Sequence, residues 1–396
     1  MTDKIFEPYW EKDGAKLFSS FDVSKIETPA YVVDLGVLEN NLKILAEVKK
    51  RTGAKILLAL KSFAMFSTFP LIRKYLDGVC ASSVNEARLG KEKFGKEVHT
   101  FAPAYSDKDI KEHLKYSDHI VFNSFQLLDK YKSAIKNKNR NIEIGIRINP
   151  EAKGADNDLY NPCAPCSRMG VTIDEFEPDK LDGVSGLHFH ALCEQGADDL
   201  ANVLKHVENK FGPYISKMKW INFGGGHHIT RSDYDVDLLC KLITDFKKKY
   251  DVDVTLEPGE AVALNAGVLV TSVLDIIKND MEIAILDSTA EAHMPDVLAM
   301  PYRPTVIGAE KPSVKKHTYR LGGVTCLSGD IIGDYSFDNP LRVGSKLVFA
   351  NQAIYTMVKN TTFNGVRLPS IILREKDGKL KVVKRFGYED FERRLS

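Results

Sequence analysis

No stretch of the 396-residue sequence approaches the ~18 consecutive apolar residues that a membrane-spanning helix requires. The start, MTDKIFEPYWEKDGAK, has no basic segment followed by an apolar core, so it lacks the pattern of a secretory signal and the cytoplasm is the expected location. Charge of one sign is not in excess either. Lys and Arg total 55 against 54 Asp and Glu, which provides no overall field to draw nucleic acid or an acidic membrane, and neither is expected as a partner. Cysteine is sparse: Cys80, Cys163, Cys166, Cys193, Cys240 and Cys326 are too scattered for a disulfide framework, and reduced thiols are expected. Internal repeats and long low-complexity segments are lacking too, which leaves an ordinary globular chain.

With 43% hydrophobic residues the chain can bury a large core, and its length suggests two domains. From Tyr31 to about Leu256, short apolar runs alternate with amphipathic, charged stretches. The runs are Tyr31–Asp34, Lys55–Leu60, Gly78–Ser82, Val98–Ala102, His119–Asn123, Glu143–Asn149, Val184–His190, Trp220–Gly224 and Val252–Glu257. Strand and helix alternating at this spacing predict parallel α/β architecture, and the number of runs matches a (β/α)8 barrel plus one extra strand. Beyond about Asn265, apolar runs separated by Gly and Pro predict a β-rich second domain. The expected boundaries are 28–264 for the barrel, with 1–27 and 265–396 forming the β-rich domain.

Several residues that can carry chemistry fall where strands are expected to end. Lys61 follows the run KILLAL directly; it either reaches out to solvent or serves as an amine nucleophile in a partly desolvated pocket. Gly224, Gly225 and Gly226 follow Trp220–Phe223 and suit either a tight turn or a cradle of backbone amides around an anion. Glu257 opens EPGE; the segment reads as a surface turn or as a carboxylate that pairs with a protonated ring nitrogen. His188 and His190 share one face of a strand. Neither they nor His227 and His228 have the spacing of a recognised metalloenzyme, so packed or ring-stacking histidines are expected and no metal. Cys163 and Cys166 form a lone CxxC without the second pair of a structural zinc site. Cys326, in LGGVTCLSGDIIGDY, is either a small apolar filler or a thiol presented as a proton donor.

Taken in order, these segments resemble the pyridoxal-phosphate (PLP) dependent decarboxylases of the alanine-racemase-like fold, fold type III. EPGEAVALNAGVLVTSVLDI (257–276) and AIYTMVKNTTFNG (353–365) add to the resemblance, which runs from about Thr28 into the C-terminal region. It implies that Lys61 forms the Schiff base with PLP, that His190 stacks on the ring, and that Gly224–Gly226 hold the phosphate. It further implies that Glu257 pairs with the pyridine nitrogen, that Tyr355 lies near the phosphate, and that Arg147, in GIRINP, supports the ring. Cys326 and Asp330 match residues that one subunit of a homodimer lends to its neighbour's active site, with Cys326 catalytic.

Departures from the general pattern point to a branch of that family. Glu260 stands where relatives acting on ornithine or diaminopimelate carry the arginine of EPGR, Cys193 replaces a common serine, and CESGD has become CLSGD. EPGEA, CLSGD and NPCAPCSRMG resemble the carboxynorspermidine and carboxyspermidine decarboxylase branch of polyamine synthesis. The resemblance then implies an acidic receptor for a cationic tail, with Asp330, Glu260 and Asp296 as candidates and Glu291 as a weaker one. The competing expectations are decarboxylation of diaminopimelate, ornithine or another basic amino acid, racemisation, and a non-catalytic PLP-homeostasis protein.

Overall fold

The computed structural model describes Phe18 and residues 21–136, 140–152 and 158–396. The reading of the N-terminal sixteen residues lies outside the described residues. One unit spans Glu39–Val262, and the other joins the described residues up to Leu38 with Ala263–Ser396.

In the first unit eight parallel strands close into a barrel. They are β2 (Lys55–Ala59), β3 (Gly78–Ala81), β4 (Glu97–Phe101), β5 (His119–Phe122), β6 (Glu143–Arg147), β7 (Gly186–His188), β8 (Trp220–Asn222) and β9 (Asp253–Leu256). The ring closes through β9 and β2, where Ile56 pairs with Leu256. Each strand corresponds to one of the expected apolar runs. Their residues are almost all buried, as parallel strands covered on both faces must be. The connecting helices begin on sequence-encoded caps: Ser106 and Asp109 form a capping box for helix Asp107–Tyr116, and Asp235 accepts from the Leu238 amide to start Val236–Tyr250.

The amino end of the barrel is filled from within. A Cβ on Gly145 or Gly186 would lie 2.5 or 2.1 Å from the Trp220 indole, so glycine at both positions makes room for this plug. Beside it the His99 and His119 rings stack at 3.7 Å, and Glu97 pairs with Lys55 at 2.5 Å. This end is built for stability, which leaves the carboxyl end for chemistry.

The second unit is a mixed sheet in the order β13-β12-β11-β10-β1-β15-β16, with β14 also paired to β10. Its strands are β1 (Ala30–Asp34), β10 (Gly267–Asn279), β11 (Met281–Leu286), β12 (His317–Gly322), β13 (Ile331–Phe337), β14 (Lys346–Phe349), β15 (Ser370–Arg374) and β16 (Leu380–Lys384). Ala30, Val32, Val268, Val270, Val348 and Ile372 form its core with Phe18 and Ile26; burying each larger side chain contributes about 1.5–3 kcal/mol. The expected barrel domain takes in segment 30–34, whereas β1 hydrogen-bonds to β10 and β15 and belongs to this sheet. Strand β13 carries Gly333 and Asp334 within an otherwise apolar and aromatic run. Among the described residues no helix is long and apolar enough to cross a membrane.

Candidate active site

Five of the expected site positions stand at carboxyl ends of barrel strands. Lys61 lies two residues past β2, Arg147 ends β6, His190 lies two residues past β7, Gly224 two past β8, and Glu257 directly follows β9. The parallel topology, rather than proximity in sequence, gathers them at one mouth.

Glu257 is the best-defined group. Asn222 donates from Nδ2 to its Oε1 at 2.7 Å, and His188 Nε2 lies 3.4 Å from Oε2. Burial alone would raise the pKa of this carboxyl, but the facing His188 and the Asn222 hydrogen bond outweigh it and bring the pKa to about 2. The side chain, only 14% exposed, is therefore an ionised carboxylate at neutral pH. Neither Asn222 nor the pairing role of His188 was expected from the sequence.

His190 accepts the Gly225 amide proton at Nδ1 over 2.9 Å, which places its own proton on Nε2. Burial, with Lys61 and Arg147 nearby, lowers its pKa well below the ordinary histidine value and keeps the ring neutral. Arg147 fixes the same segment by donating from Nη2 to the His190 carbonyl at 3.2 Å, and its guanidinium lies 4.4 Å from the Phe101 ring centroid. Burial lowers its pKa to about 10, so it remains a cation, and among the described residues it forms no ion pair with a carboxylate.

Gly224 and Gly226 adopt φ of 69° and 83°. A Cβ at Gly225 would come within 2.3 Å of the Glu257 carbonyl, and one at Gly226 within 1.9 Å of the Leu192 carbonyl. The triple glycine is thus a tight turn whose Gly224 and Gly225 amides are bonded within the site. The Gly226 and His227 amides have no acceptor among the described residues. Lys61 is exposed, without an ion pair among the described residues, and its charge acts on Cys80, Glu86, His188, His190 and Cys193. Glu260 Oε2 lies 3.1 Å from His228 Nε2, beside Glu194, whose pKa burial and then Glu260 push up to about 7.

An unpaired amine, an ionised carboxylate, a neutral imidazole and open loop amides fit a phosphorylated pyridine aldehyde, group by group. The sequence pattern of the family described as pyridoxal-dependent decarboxylase, C-terminal sheet domain, matches residues 30–353. The chain belongs to this family. It is therefore a PLP-dependent decarboxylase, a carboxy-lyase. Carboxynorspermidine/carboxyspermidine decarboxylase of Campylobacter jejuni is 46% identical over 93% of this chain and 99% of its own. Carboxyaminopropylagmatine decarboxylase of Synechocystis is 41% identical over 94% and 96%. A crystal structure of carboxynorspermidine decarboxylase from Campylobacter jejuni, complexed with norspermidine, superposes with a TM-score of 0.86 at 44% identity, covering 93% of this chain and all of that one. Barrel and mixed sheet together are the alanine-racemase-like, fold type III architecture.

The decarboxylase's remaining candidate residues lie in the mixed-sheet unit. Cys326 is exposed, its amide donating to Asn364 Oδ1 at 2.8 Å. Tyr355 has a φ of 51° at the start of helix Thr356–Lys359, whose Lys359 pairs with Asp296. Asp330 differs from the expected open tail receptor. Its carboxylate is buried and accepts from Thr289 Oγ1, the Ala290 and Glu291 amides, and the Thr325 amide and hydroxyl, at 2.7 to 3.3 Å. With its lone pairs filled, it clamps the Cys326 loop to segment 289–291. Cys163 and Cys166 are free thiols.

Proposed function

We propose that this decarboxylase removes the α-carboxylate of carboxynorspermidine and carboxyspermidine as carbon dioxide, releasing norspermidine and spermidine for polyamine synthesis. The observation that carries this reading is end-to-end similarity to the Campylobacter enzyme, at 46% identity over 93% of the chain. Loss of one methylene changes pocket affinity by only about 1–3 kcal/mol, consistent with acceptance of both substrates.

PLP supplies the electron sink for the carbanion left by departing carbon dioxide. We assign its attachment to Lys61, its phosphate to the Gly224–Gly226 loop, through the open Gly226 and His227 amides, with Tyr355, and its ring face to His190. Arg147 holds the His190 segment in place. Glu257 keeps a proton on the ring nitrogen, a role that its ionised state supports. Cys326 then delivers a proton to the substrate α-carbon. Asp296 is assigned to the cationic tail.

We place Cys326 in the active site of a second copy of the chain, in a cytoplasmic homodimer. Exposed Val324, Leu327 and Phe363 lie along the Cys326 and Asn364 segments and support a covered loop.

A second reading, decarboxylation of carboxyaminopropylagmatine, is favoured by the 41% identical Synechocystis relative. Measuring kcat/KM for these three substrates, together with diaminopimelate and ornithine, separates the readings. The proposal expects the two carboxylated polyamines to lead. Preference for diaminopimelate or ornithine overturns it.

A further inference from the structure

We infer that Glu194, His228 and Glu260 form a binding site for a divalent metal cation beside the glycine-rich loop. Their ligand atoms all lie within 4.8 Å of one another. A metal held about 2.0–2.2 Å from each oxygen and nitrogen spans that set with small side-chain adjustments.

Three strand ends meet here. Glu194, at a φ of 56°, follows the segment after β7; His228 closes the loop after β8; Glu260 follows β9. Backbone pairing fixes two of them together: Gln195 donates to the Gly226 carbonyl at 3.0 Å, and the His228 amide donates to the Gln195 carbonyl at 3.3 Å. The donors are thus carried on backbone that is already ordered, which lowers the entropic cost of assembling them around an ion.

His228 gives the second, independent indication. Its side chain is 2% exposed; Nε2 lies 3.1 Å from Glu260 Oε2, and Nδ1 has no hydrogen-bond partner among the described residues. A buried imidazole nitrogen rarely goes without a partner unless a ligand completes the ring's surroundings. Charge leads to the same ion class. Two carboxylates face this ring; the Arg231 cation acts on Glu194 through its charge while its Nε pairs with Asp233, and among the described residues no lysine or arginine forms an ion pair with either carboxylate. A doubly charged cation balances them, and a set of two carboxylates and one imidazole suits Mn2+ or Zn2+ better than a soft ion.

The site rests on these residues and not on the substrate assignment. Its test uses PLP-loaded protein freed of metal with a chelator and titrated with Mn2+, following the EPR signal of the free ion. One bound Mn2+ per chain, displaced by Zn2+, is expected. Glu194→Gln and His228→Gln should each weaken it by more than roughly 10- to 100-fold, since loss of even an outer supporting partner has that effect. Glu97→Gln, in the cluster at the opposite end of the barrel, should leave it unchanged. Far-UV circular dichroism and bound-cofactor absorbance verify that each variant is folded. Absence of binding to the parent protein by both Mn2+ and Zn2+ overturns the inference, as does binding that survives in folded Glu194→Gln and His228→Gln or disappears in Glu97→Gln.

Discussion

Asn222 and Glu257 end neighbouring barrel strands, and the amide of the first holds the carboxylate of the second at 2.7 Å. This hydrogen bond stabilises the charge of the carboxylate assigned to the protonated pyridine nitrogen. Glu257→Gln should still bind PLP but lower kcat by roughly 10²–10³-fold, the usual effect of removing a group that stabilises developing charge. Asn222→Ala should be milder, costing about 1.5–3 kcal/mol of transition-state stabilisation through a less well-held carboxylate. Steady-state kinetics on both variants checks the order of the two effects.

Gly226→Ala tests the loop. The added methyl meets the Leu192 carbonyl at 1.9 Å in a backbone of φ 83°. Both effects destabilise, together by at least about 2 kcal/mol. A lower Tm and weaker PLP retention are expected, measured by thermal unfolding and by cofactor absorbance after gel filtration.

Cys326→Ala should keep its PLP, because the thiol is assigned to proton delivery and not to holding the cofactor. Loss of a positioned proton donor should lower kcat by roughly 10²-fold or more. In deuterated water, misdirected protonation should also scramble the configuration of the deuterium-bearing product carbon, which NMR of a chiral derivative reads. Unchanged turnover would remove Cys326 from the mechanism.

Acid should destabilise the fold before the carboxylates titrate. Burial lowers the pKa of His113, His227 and His293 to about 4 each. In the unfolded chain they titrate near about 6.5, so between those values the unfolded state binds more protons. Their stabilisation is complete above that upper value and is lost as the pH falls towards 4, by up to about 1.4 kcal/mol per pH unit for each. Glu194 works in the opposite sense, since its raised pKa of about 7 favours the fold at lower pH. His119, His188 and His190, also lowered by burial, add to the first effect and the raised His228 and Glu86 to the second; the lowered histidines outnumber the groups opposing them, and Tm should fall from pH 7 to pH 5. A Tm that stays level across that range would contradict the balance.

Much of this was legible in the sequence because a barrel strand writes itself as an apolar run, and the residue after the run lies at the mouth. Lys61, His190, Gly224 and Glu257 were found by that rule, and Arg147 through the family resemblance. Pairing is not written locally: β1 has an ordinary strand pattern, and nothing in Ala30–Asp34 tells that its partners are β10 and β15. Nor could the pattern reveal that Asp330 is filled by donors from Thr289, Ala290, Glu291 and Thr325. The cluster of Glu194, His228 and Glu260 was hidden for the same reason, since its members come from three separate strand ends. His227 and His228 were visible as a pair, but the carboxylates facing His228 were not.

The central claim is decarboxylation of a carboxylated polyamine. Purified, PLP-loaded protein should be given carboxynorspermidine labelled with 13C in its carboxylate, in deuterated water, and the products read by mass spectrometry. The account predicts labelled carbon dioxide and norspermidine carrying one carbon-bound deuterium at the former α-carbon, in equal amounts. Recovery of the substrate with its label intact, whether racemised or unchanged, would contradict it.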